Sequence, residues 1–515
     1  MTPGAVVILP FSQAVEVVAA FLAVLILVCC LDDLFIDLLY WGRRSWHRLG
    51  GNPPAPAPTA AGLRAQQEQP IAVLVPAWHE ENVIGAMLEN LARVMEYRSY
   101  VVFVGTYPND AATGREVDRV AARHPHIRRV EMPHAGPTCK ADCLNHVIAA
   151  AVRHQRAARM RFAGFVLHDS EDVPHPLELK LFNHLVRTVD MVQLPVVALE
   201  RKWYELVAGA YMDEFAESHR KEMPLREHLC GMIPSAGVGT CFSRRAMRAL
   251  WRQTRGTPFR TDSLTEDYEI GVRISQLGLR SRFVLCSIPP GPAGRGAASE
   301  SLVAVREFFP GRLRDSYRQK GRWVLGIGLQ AWKHLPLRDR PWRVALMMIH
   351  DRKGVITAFV PLAAYAVTAY LLVLLGGSSA GWWKPYDPVL FRDGSAWQAL
   401  LYFNGGMLAV RASQRAYFTA TLYGWAQGAA SIPRMVVGNV VNCLAAGRAW
   451  RMYLDHRISG KPLAWDKTRH EFPTATAAPA RGQPVAGIER HARAASPPPR
   501  RPAMPASLAP PRPQA

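Results

Sequence analysis

The chain has 515 residues, of which 49% are hydrophobic, and its formal net charge at pH 7 is +21. A chain of this length and hydrophobicity can hold a folded domain of ordinary size together with membrane segments. The positive charge lies in a Pro- and Ala-rich stretch at 474–515 and in arginines beside hydrophobic segments, and no DNA- or RNA-binding pattern accompanies it. We therefore expect no nucleic-acid partner.

The first hydrophobic segment covers residues 14–31 and is long enough to span a bilayer. A cleaved signal peptide is the alternative, but the segment lacks a basic start and a small-residue cleavage site. Arg43 and Arg44 follow, so the positive-inside rule places the N-terminus outside. We predict a transmembrane and interfacial helix over residues 1–50 and a Pro- and Ala-rich linker over 51–69.

From residue 69 onward, short apolar strands alternate with helical patterns. The predicted strands are 71–75, 100–106, 127–131 and 165–167, and the predicted helices are 80–94 and 138–152. This alternation predicts an α/β domain with a largely parallel sheet and helices on both faces. Ligands bind such sheets beyond the carboxyl ends of the strands, which is where the polar clusters of this stretch fall.

One of these clusters is a compact group of carboxylates that follows the strand predicted at 165–167. It consists of Asp169, Glu171 and Asp172. Carboxylates can hold Mg²⁺ or Mn²⁺, and such a cation would neutralise the charge of a departing diphosphate. A solvated loop or a helix cap is the alternative interpretation, because two prolines follow at 174 and 176.

Two further motifs lie downstream. Asp267, in the Thr-Glu-Asp of 265–267, is a candidate general base, and a simple helix N-terminus is the alternative. In the Gln-x-x-Arg-Trp that begins at Gln319, Trp323 offers a flat face for a sugar ring and Arg322 offers planar donors for phosphate or hydroxyl oxygens. An interfacial Trp-Arg pair beside a bilayer is the alternative here. The ordered combination favours a metal-dependent sugar-nucleotide transferase.

In this order the motifs resemble the membrane-bound family 2 glycosyltransferases, which have the GT-A fold and include the cellulose, chitin and hyaluronan synthases. The resemblance covers about residues 70–330. It implies nucleotide binding by Glu81, Asp110, Lys140 and Asp169, and metal binding by Asp169, Glu171 and Asp172. It also implies that Asp267 is the catalytic base and that Gln319, Arg322 and Trp323 bind the acceptor.

Three strings carry a closer resemblance, to the bacteriophage adsorption protein B group of inner-membrane glycosyltransferases. They are HDSEDVPHP at 168–176, HDRKG at 350–354 and GKPLAWDKTRHEFP at 460–473. The group is associated with a surface glycan that serves as a phage receptor. The resemblance therefore implies a similar role in making such a glycan.

The hydrophobic pattern returns after the predicted transferase domain, which we assign to residues 70–335. We predict transmembrane and interfacial helices over 336–473 and a disordered Pro/Ala/Arg-rich tail over 474–515. Residues 355–375 form a predicted span directed outward and 397–410 a returning one, whereas the polar residues in 416–446 favour interfacial helices.

The resemblance and the membrane segments together predict a multi-pass protein of the bacterial inner membrane with a cytoplasmic catalytic domain. We expect an inverting transfer from a UDP-sugar, of the UDP-N-acetylhexosamine type, to a growing surface polysaccharide. The expected partners are this donor, the glycan acceptor, membrane lipid and an outer-membrane or periplasmic export protein. The alternatives are a non-catalytic scaffold or receptor component for glycan export, and a polyprenyl-phosphate sugar transferase.

Overall fold

The computed structural model of the chain describes residues 3–51, 58–288, 301–338, 340–382, 389–460 and 470–473. The predicted linker at 51–69 and the string at 460–473 are described in part, and the predicted tail at 474–515 lies outside the described residues. The α-helices are α1 Pro3–Arg48, α2 Ala60–Arg64, α3 Ile84–Val94, α4 Ala111–Ala121, α5 Lys140–Ala157, α6 Glu178–Leu185, α7 Leu206–Glu217, α8 Met223–Cys230, α9 Arg244–Gln253, α10 Glu266–Gln276, α11 Leu313–Trp323, α12 Ala331–His334, α13 Trp342–Arg352, α14 Gly354–Thr357, α15 Val360–Ser379, α16 Ala396–Tyr423 and α17 Trp425–Ser459.

The strands are β1 Ile71–Pro76, β2 Tyr100–Thr106, β3 Ile127–Glu131, β4 Gly164–Leu167, β5 Met191–Gln193, β6 Val196–Ala198, β7 Thr240–Ser243, β8 Ser281–Phe283, β9 Ser287–Ile288, β10 Ser301–Leu302 and β11 Val305–Glu307. Two π-helical stretches, Ser218–Glu222 and Val324–Gln330, extend α7 and α11, and a short 3₁₀ turn covers Val389–Phe391.

Among the described residues, seven strands form the main sheet, in the order β3-β2-β1-β4-β7-β5-β8. The first four of these strands run parallel, as the alternating pattern predicts. Strand β7 is antiparallel to both of its neighbours, so the sheet is mixed. The predicted α/β class is confirmed by this sheet and its flanking helices. Because β1 and β4 are parallel neighbours, the loops that follow them emerge at the same edge.

The core lies on both faces of this sheet. In β1, Val73 and Val75 face helices α3, α4 and α6, whereas Ala72 and Leu74 face α5, α9 and α10. Every residue of β1 is buried for this reason, and the strand reads as a continuous apolar run instead of an alternating one. The packing on both faces holds the ends of β1 and β4 in fixed positions.

Three helices are long and apolar enough to cross a membrane, counted over the described part of the chain. They are residues Phe11–Arg48, Val360–Ser379 and Trp425–Ser459. The first two contain most of the spans predicted at 14–31 and 355–375. The third lies where the sequence favours interfacial helices, and α16, which contains the predicted span 397–410, does not meet the same criteria. Polar residues inside α16, such as Gln398 and Asn404, lower its hydropathy.

Charged side chains join the α/β domain to the C-terminal helices. The Arg434 guanidinium on α17 donates to both carboxylate oxygens of Asp213 on α7, at 2.9 and 2.8 Å, and both side chains are buried. Lys320 on α11 pairs with Glu214 on α7 and donates to Asn442 on α17 at 2.9 Å. These contacts fix α11, which carries the Gln-x-x-Arg-Trp motif, against α17.

Candidate active site

A cavity of about 130 Å³ lies beyond the carboxyl ends of β1 and β4. Seven of the residues singled out from the sequence line it: Lys140, Asp169, Glu171, Asp267, Gln319, Arg322 and Trp323. They come from four separate parts of the chain, namely the start of α5, the loop after β4, the start of α10 and the end of α11. The structure therefore brings the predicted metal, base and acceptor motifs to one place.

The loop after β4 supplies two carboxylates to this cavity. Asp169 forms an ion pair with Lys140, whose Nζ lies 2.6 Å from Asp169 Oδ1. Glu171 is buried, and its Oε2 makes no hydrogen bond among the described residues, although an ion-pair contact with a histidine described below reaches it. Burial, together with the charges of neighbouring carboxylates, outweighs the opposing charge of a nearby histidine and raises the pKa of Glu171 to about 8. This carboxylate therefore carries its charge more readily when a cation is close.

Asp172, the third predicted metal ligand, does not line the cavity. It is fully buried and accepts a hydrogen bond from the backbone N–H of Asp169 at 3.0 Å. Its carboxylate also lies 2.8 Å from His168 Nδ1, and His168 Nε2 lies 2.8 Å from Glu178. In this arrangement Asp172 and His168 hold the loop that presents Asp169 and Glu171.

Glu81 and Asp110 also lie outside the cavity lining, but the structure brings them together with His79. One potential ligand atom from each lies within 4.8 Å of the others. Asp110 is buried at the N-terminus of α4, where its carboxylate accepts from the backbone N–H of Thr113 and, at 2.6 Å, from that of His79. The loop that carries His79 and Glu81 also supplies Glu80 to the cavity. Two of the four predicted nucleotide-binding residues, Glu81 and Asp110, thus form a polar group with His79 that is separate from the cavity lining.

Lys140 is the first residue of α5 and the positive charge closest to the carboxylates. Burial lowers the pKa of its amine, but the charges of Asp169, Glu266 and Asp267 outweigh this effect and hold the pKa above its ordinary value. The amine is therefore charged at neutral pH, and its position next to Asp169 leaves it able to contact an anionic group in the cavity.

Asp267 lies in the first turn of α10 and is half-buried. Its Oδ1 accepts a hydrogen bond from the backbone N–H of Tyr268 at 2.7 Å. Burial raises the pKa of Asp267, and burial together with the charge of Asp267 raises the pKa of Glu266 to about 7. Thr265 occupies the N-cap position, yet its side chain makes no capping hydrogen bond. Capping is therefore not what the Thr-Glu-Asp motif does in this structure.

The glycine-rich loop before β7 lies against Asp267. Gly237 has a φ of +80°, and a Cβ atom built on it would lie 2.6 Å from Asp267 Oδ2 and 3.3 Å from Lys140 Nζ. A side chain at this position would occupy the space beside both groups. Glycine is thus required here by the backbone angle and by the close approach of the base.

The end of α11 forms the side of the cavity nearest the C-terminal helices. Gln319 Oε1 is buried and has no hydrogen-bond partner among the described residues. The Trp323 ring packs against Tyr211 and Phe215 of α7, with ring centroids 6.2 Å apart in each case. Gly326, in the π-helical stretch that follows, lies so close to Thr265 that a Cβ atom there would overlap its side chain. The acceptor motif and the Thr-Glu-Asp motif are therefore packed together.

Sequence reasoning did not assign Glu80 or His470 to the metal cluster, and the structure places both beside Glu171. His470 Nδ1 lies 2.8 Å from Glu80 Oε1 and 3.2 Å from Glu171 Oε2, and the three side chains could together hold a metal ion. The charges of Glu171 and Glu80 outweigh the effect of burial and raise the pKa of His470 to about 9. Phe472 packs against the core of the sheet and so holds this segment in place. The string at 460–473 was informative as a resemblance, but nothing in it placed His470 beside Glu171 or beside Glu80, which lies 390 positions earlier.

A further carboxylate missed from the sequence is Glu307 on β11, which also lines the cavity. Burial, then the charges of Asp172, Glu171 and Asp169, raise its pKa well above the ordinary value. Its position depends on the pairing of β11 with β6, two short strands that carry no motif. The carboxylates that line this small space outnumber its basic side chains, which are Lys140, Arg322 and His470, and this arrangement favours bound cations.

Residues 68–326 match the family model described as "Glycosyltransferase like family 2". This match covers half of the chain, and the chain therefore belongs to glycosyltransferase family 2. The predicted GT-A fold class agrees with this family and with the observed sheet.

Two curated relatives come from Escherichia coli. The bacteriophage adsorption protein B of strain K12 and the bacteriophage N4 adsorption protein B of O157:H7 are each 42% identical over 475 residues, which are 90% of this chain and 63% of the relative. The chain thus spans a little under two thirds of the length of these relatives. The mannosyltransferase PcManGT from Pyrobaculum calidifontis, solved with GDP-Man and Mn²⁺, is 18% identical with a TM-score of 0.46, over 82% of this chain and 99% of that one.

Proposed function

We propose that this protein is a metal-dependent, inverting glycosyltransferase that moves a sugar from a UDP-sugar to a growing surface polysaccharide. The observation that carries the proposal is the single cavity in which a lysine, several carboxylates and the Gln-x-x-Arg-Trp motif meet. A donor of the UDP-N-acetylhexosamine type is part of the proposal and follows from the family resemblance. The transferase domain would cover residues 70–335.

The donor set at the carboxyl ends of β1 and β4 fits Mg²⁺ or Mn²⁺. Asp169 and Glu171 would hold the cation, with Glu80 and His470 beside them, because carboxylate oxygens suit both ions and an imidazole suits Mn²⁺. The buried Glu171 Oε2 supports this assignment, because among the described residues it makes no hydrogen bond and its ion-pair contact, at 3.2 Å, is with His470, itself a possible ligand. When bound, the cation would supply positive charge against the diphosphate that departs.

The protein's own side chains would perform the remaining steps. Asp267 would take the proton from the acceptor hydroxyl as that oxygen attacks the sugar, while Lys140 contacts the diphosphate. Trp323 would stack on the acceptor sugar, and Arg322 and Gln319 would bind its hydroxyl groups. Glu81 and Asp110 would contact the nucleoside. A single displacement by the acceptor inverts the configuration at the sugar carbon.

Three apolar helices and the arginines beside them support a multi-pass protein of the inner membrane with its active site in the cytoplasm. The similarity to the bacteriophage adsorption proteins supports a product that reaches the cell surface and serves as a phage receptor. The acceptor glycan, membrane lipid and an export protein of the periplasm or outer membrane complete the proposed partners.

Two other functions remain as candidates, a non-catalytic scaffold for glycan export and a polyprenyl-phosphate sugar transferase. The carboxylates in the cavity favour an enzyme over a scaffold. The Gln-x-x-Arg-Trp motif resembles the polymer-forming enzymes, which favours the polysaccharide as product.

Replacing the proposed base tests the proposal. In purified full-length protein, Asp267→Asn should abolish sugar transfer and leave UDP binding within about twofold, because the amide cannot accept the proton. Asp118→Asn is the matched control, since this exposed carboxylate of α4 is remote from the cavity lining. Full turnover in Asp267→Asn would contradict the assigned base.

A further inference from the structure

A second cavity, of about 520 Å³, lies on the α/β domain and shares no lining residue with the proposed active site. Among the described residues, its lining contains six arginines and no carboxylate. We call it the arginine cavity after these residues: Arg156, Arg159, Arg161, Arg244, Arg248 and Arg252. The first three come from the C-terminal end of α5 and the turn that follows, and the other three form one ridge of α9, four residues apart.

The arginine cavity and the active site lie at opposite ends of α5. The helix begins at Lys140 beside Asp169 and ends at Ala157, a length of about 27 Å for its 18 residues. Strands β4 and β7 pair with Gly164 opposite Ser243, so the arginine cavity flanks the start of β4, whereas Asp169 follows its end. A ligand of the arginine cavity would therefore not occupy the donor site.

The six arginines have no acidic partner in the part of the chain that the structure describes. Within the described residues, none of them forms an ion pair or a hydrogen bond with a carboxylate, whereas Arg245 on the same helix pairs with Asp190, Nε to Oδ1 at 2.6 Å. Partial burial, followed by the positive charges of Arg248 and Arg161, lowers the pKa of Arg244. Charges of one sign gathered around a concavity attract a ligand of the opposite sign.

The shape and lining of the arginine cavity indicate what kind of anion would fit. One guanidinium group can donate two parallel hydrogen bonds to the oxygens of one phosphate. Several guanidinium groups around one concavity therefore suit a ligand with more than one phosphate. Trp251, half-buried, with Met247 and Phe165, gives the cavity an apolar side on which an aromatic base can pack. The volume lies within the range of sites for small molecules.

We propose that the arginine cavity binds a small ligand with several phosphates, a nucleoside di- or triphosphate, at a site separate from the donor site. The phosphates lie among the arginines of α5 and α9, and the base packs on Trp251. The acidic surface of a protein would be attracted to the same arginines, but it would not use the apolar side of the concavity.

Binding of ATP and of inorganic tripolyphosphate to the full-length protein in detergent tests this proposal, measured by calorimetry without divalent cations. Replacing Arg161, Arg244 and Arg248 together by alanine should weaken the binding of both probes by at least about tenfold, equivalent to 1.4 kcal/mol. The single charge reversal Arg248→Glu should act in the same direction. Trp251→Ala should reduce the advantage of ATP over tripolyphosphate.

Arg93→Ala is the matched control, because Arg93 is an exposed arginine of α3, which packs on the opposite face of the sheet from α5 and α9. It should leave the affinity of both probes within about twofold, since a remote surface charge contributes little at ordinary ionic strength. Three results would overturn the proposal: no binding of either probe, binding that Lys140→Ala abolishes but the arginine variants do not, and tighter binding of polyglutamate than of tripolyphosphate.

Discussion

Gly237 offers a precise test of the geometry around the proposed base. A Cβ atom at this position would lie 2.6 Å from Asp267 Oδ2, whereas an ordinary contact begins at 3.4 Å. Gly237→Ala should therefore displace the carboxylate by about 0.8 Å, the difference between these two distances. A displacement of about 1 Å in a catalytic group can cost about 100-fold in rate. We expect a loss of this order in kcat.

The backbone angle adds a second effect that the experiment must separate from the first. The φ of Gly237 is +80°, and an alanine held in a left-handed conformation costs roughly 1–2 kcal/mol of folding stability. Gly278 is the matched control, because its φ is +67° and nothing lies within 4 Å of its Cβ position. Gly278→Ala should lose a similar amount of stability but keep its activity.

The assay is UDP release from the donor sugar, measured beside the thermal unfolding midpoint for both variants. Equal activity losses in Gly237→Ala and Gly278→Ala would show that general destabilisation causes the effect. Unchanged activity in Gly237→Ala would refute the placement of Asp267 next to this glycine.

Three further predictions concern other parts of the molecule. His470→Ala should weaken Mn²⁺ binding by about tenfold in calorimetry, because one of the proposed ligands is lost, and wild-type affinity would exclude His470 from the site. Asp213→Ala should lower the free energy of unfolding by about 3–5 kcal/mol, because it leaves the buried Arg434 without its carboxylate. The thermal unfolding midpoint should fall, and an unchanged midpoint would contradict this pairing. Burial lowers the pKa of His219 from 6.5 to about 4. Between these pH values the unfolded chain binds a proton at this histidine that the folded chain does not bind. Folding stability should therefore fall as the pH drops from 6.5 to about 4. His219→Gln should show a smaller fall over this pH range, and an equal fall would place the effect in other groups.

The strands of the sheet could be predicted because their apolar runs are short and end in turn residues. The run at 71–75 became β1 within one residue, and the run at 165–167 became β4 with its carboxylates at the end. The antiparallel β7 could not be predicted, because residues 240–243 (TCFS) form no apolar run and their sequence does not indicate the direction in which they pair. Strand direction depends on the path of the intervening chain.

The candidate site was predictable where a motif is continuous in sequence. Asp169 and Glu171 share a loop, and the structure places both in the cavity, but Asp172 of the same cluster turns away to His168. Adjacent carboxylates in a tight loop face different directions, and sequence spacing does not state which one enters the cavity. His470 was missed for a different reason, since its position depends on a segment that returns to the sheet from beyond α17.

The sequence favours interfacial helices over 416–446 because of their polar residues, whereas α17 is long and apolar enough to cross a membrane. Arg434, inside α17, is one of the polar residues on which the prediction of interfacial helices depends. In the structure its guanidinium is fully buried and paired with Asp213, so this charge does not face lipid. Pairing between distant segments offsets part of the cost of burying the charge, and only the folded arrangement shows this pairing.

The central claim is that this cavity transfers a sugar from a UDP-sugar, and one measurement tests it directly. Full-length protein in detergent would be incubated with a panel of UDP-sugars and either Mg²⁺ or Mn²⁺, and both UDP release and product size would be recorded. We predict metal-dependent release of UDP from at least one donor, of the UDP-N-acetylhexosamine type, together with a lengthening glycan. Absence of UDP release from every donor, with either metal and with an added glycan acceptor, would contradict the claim.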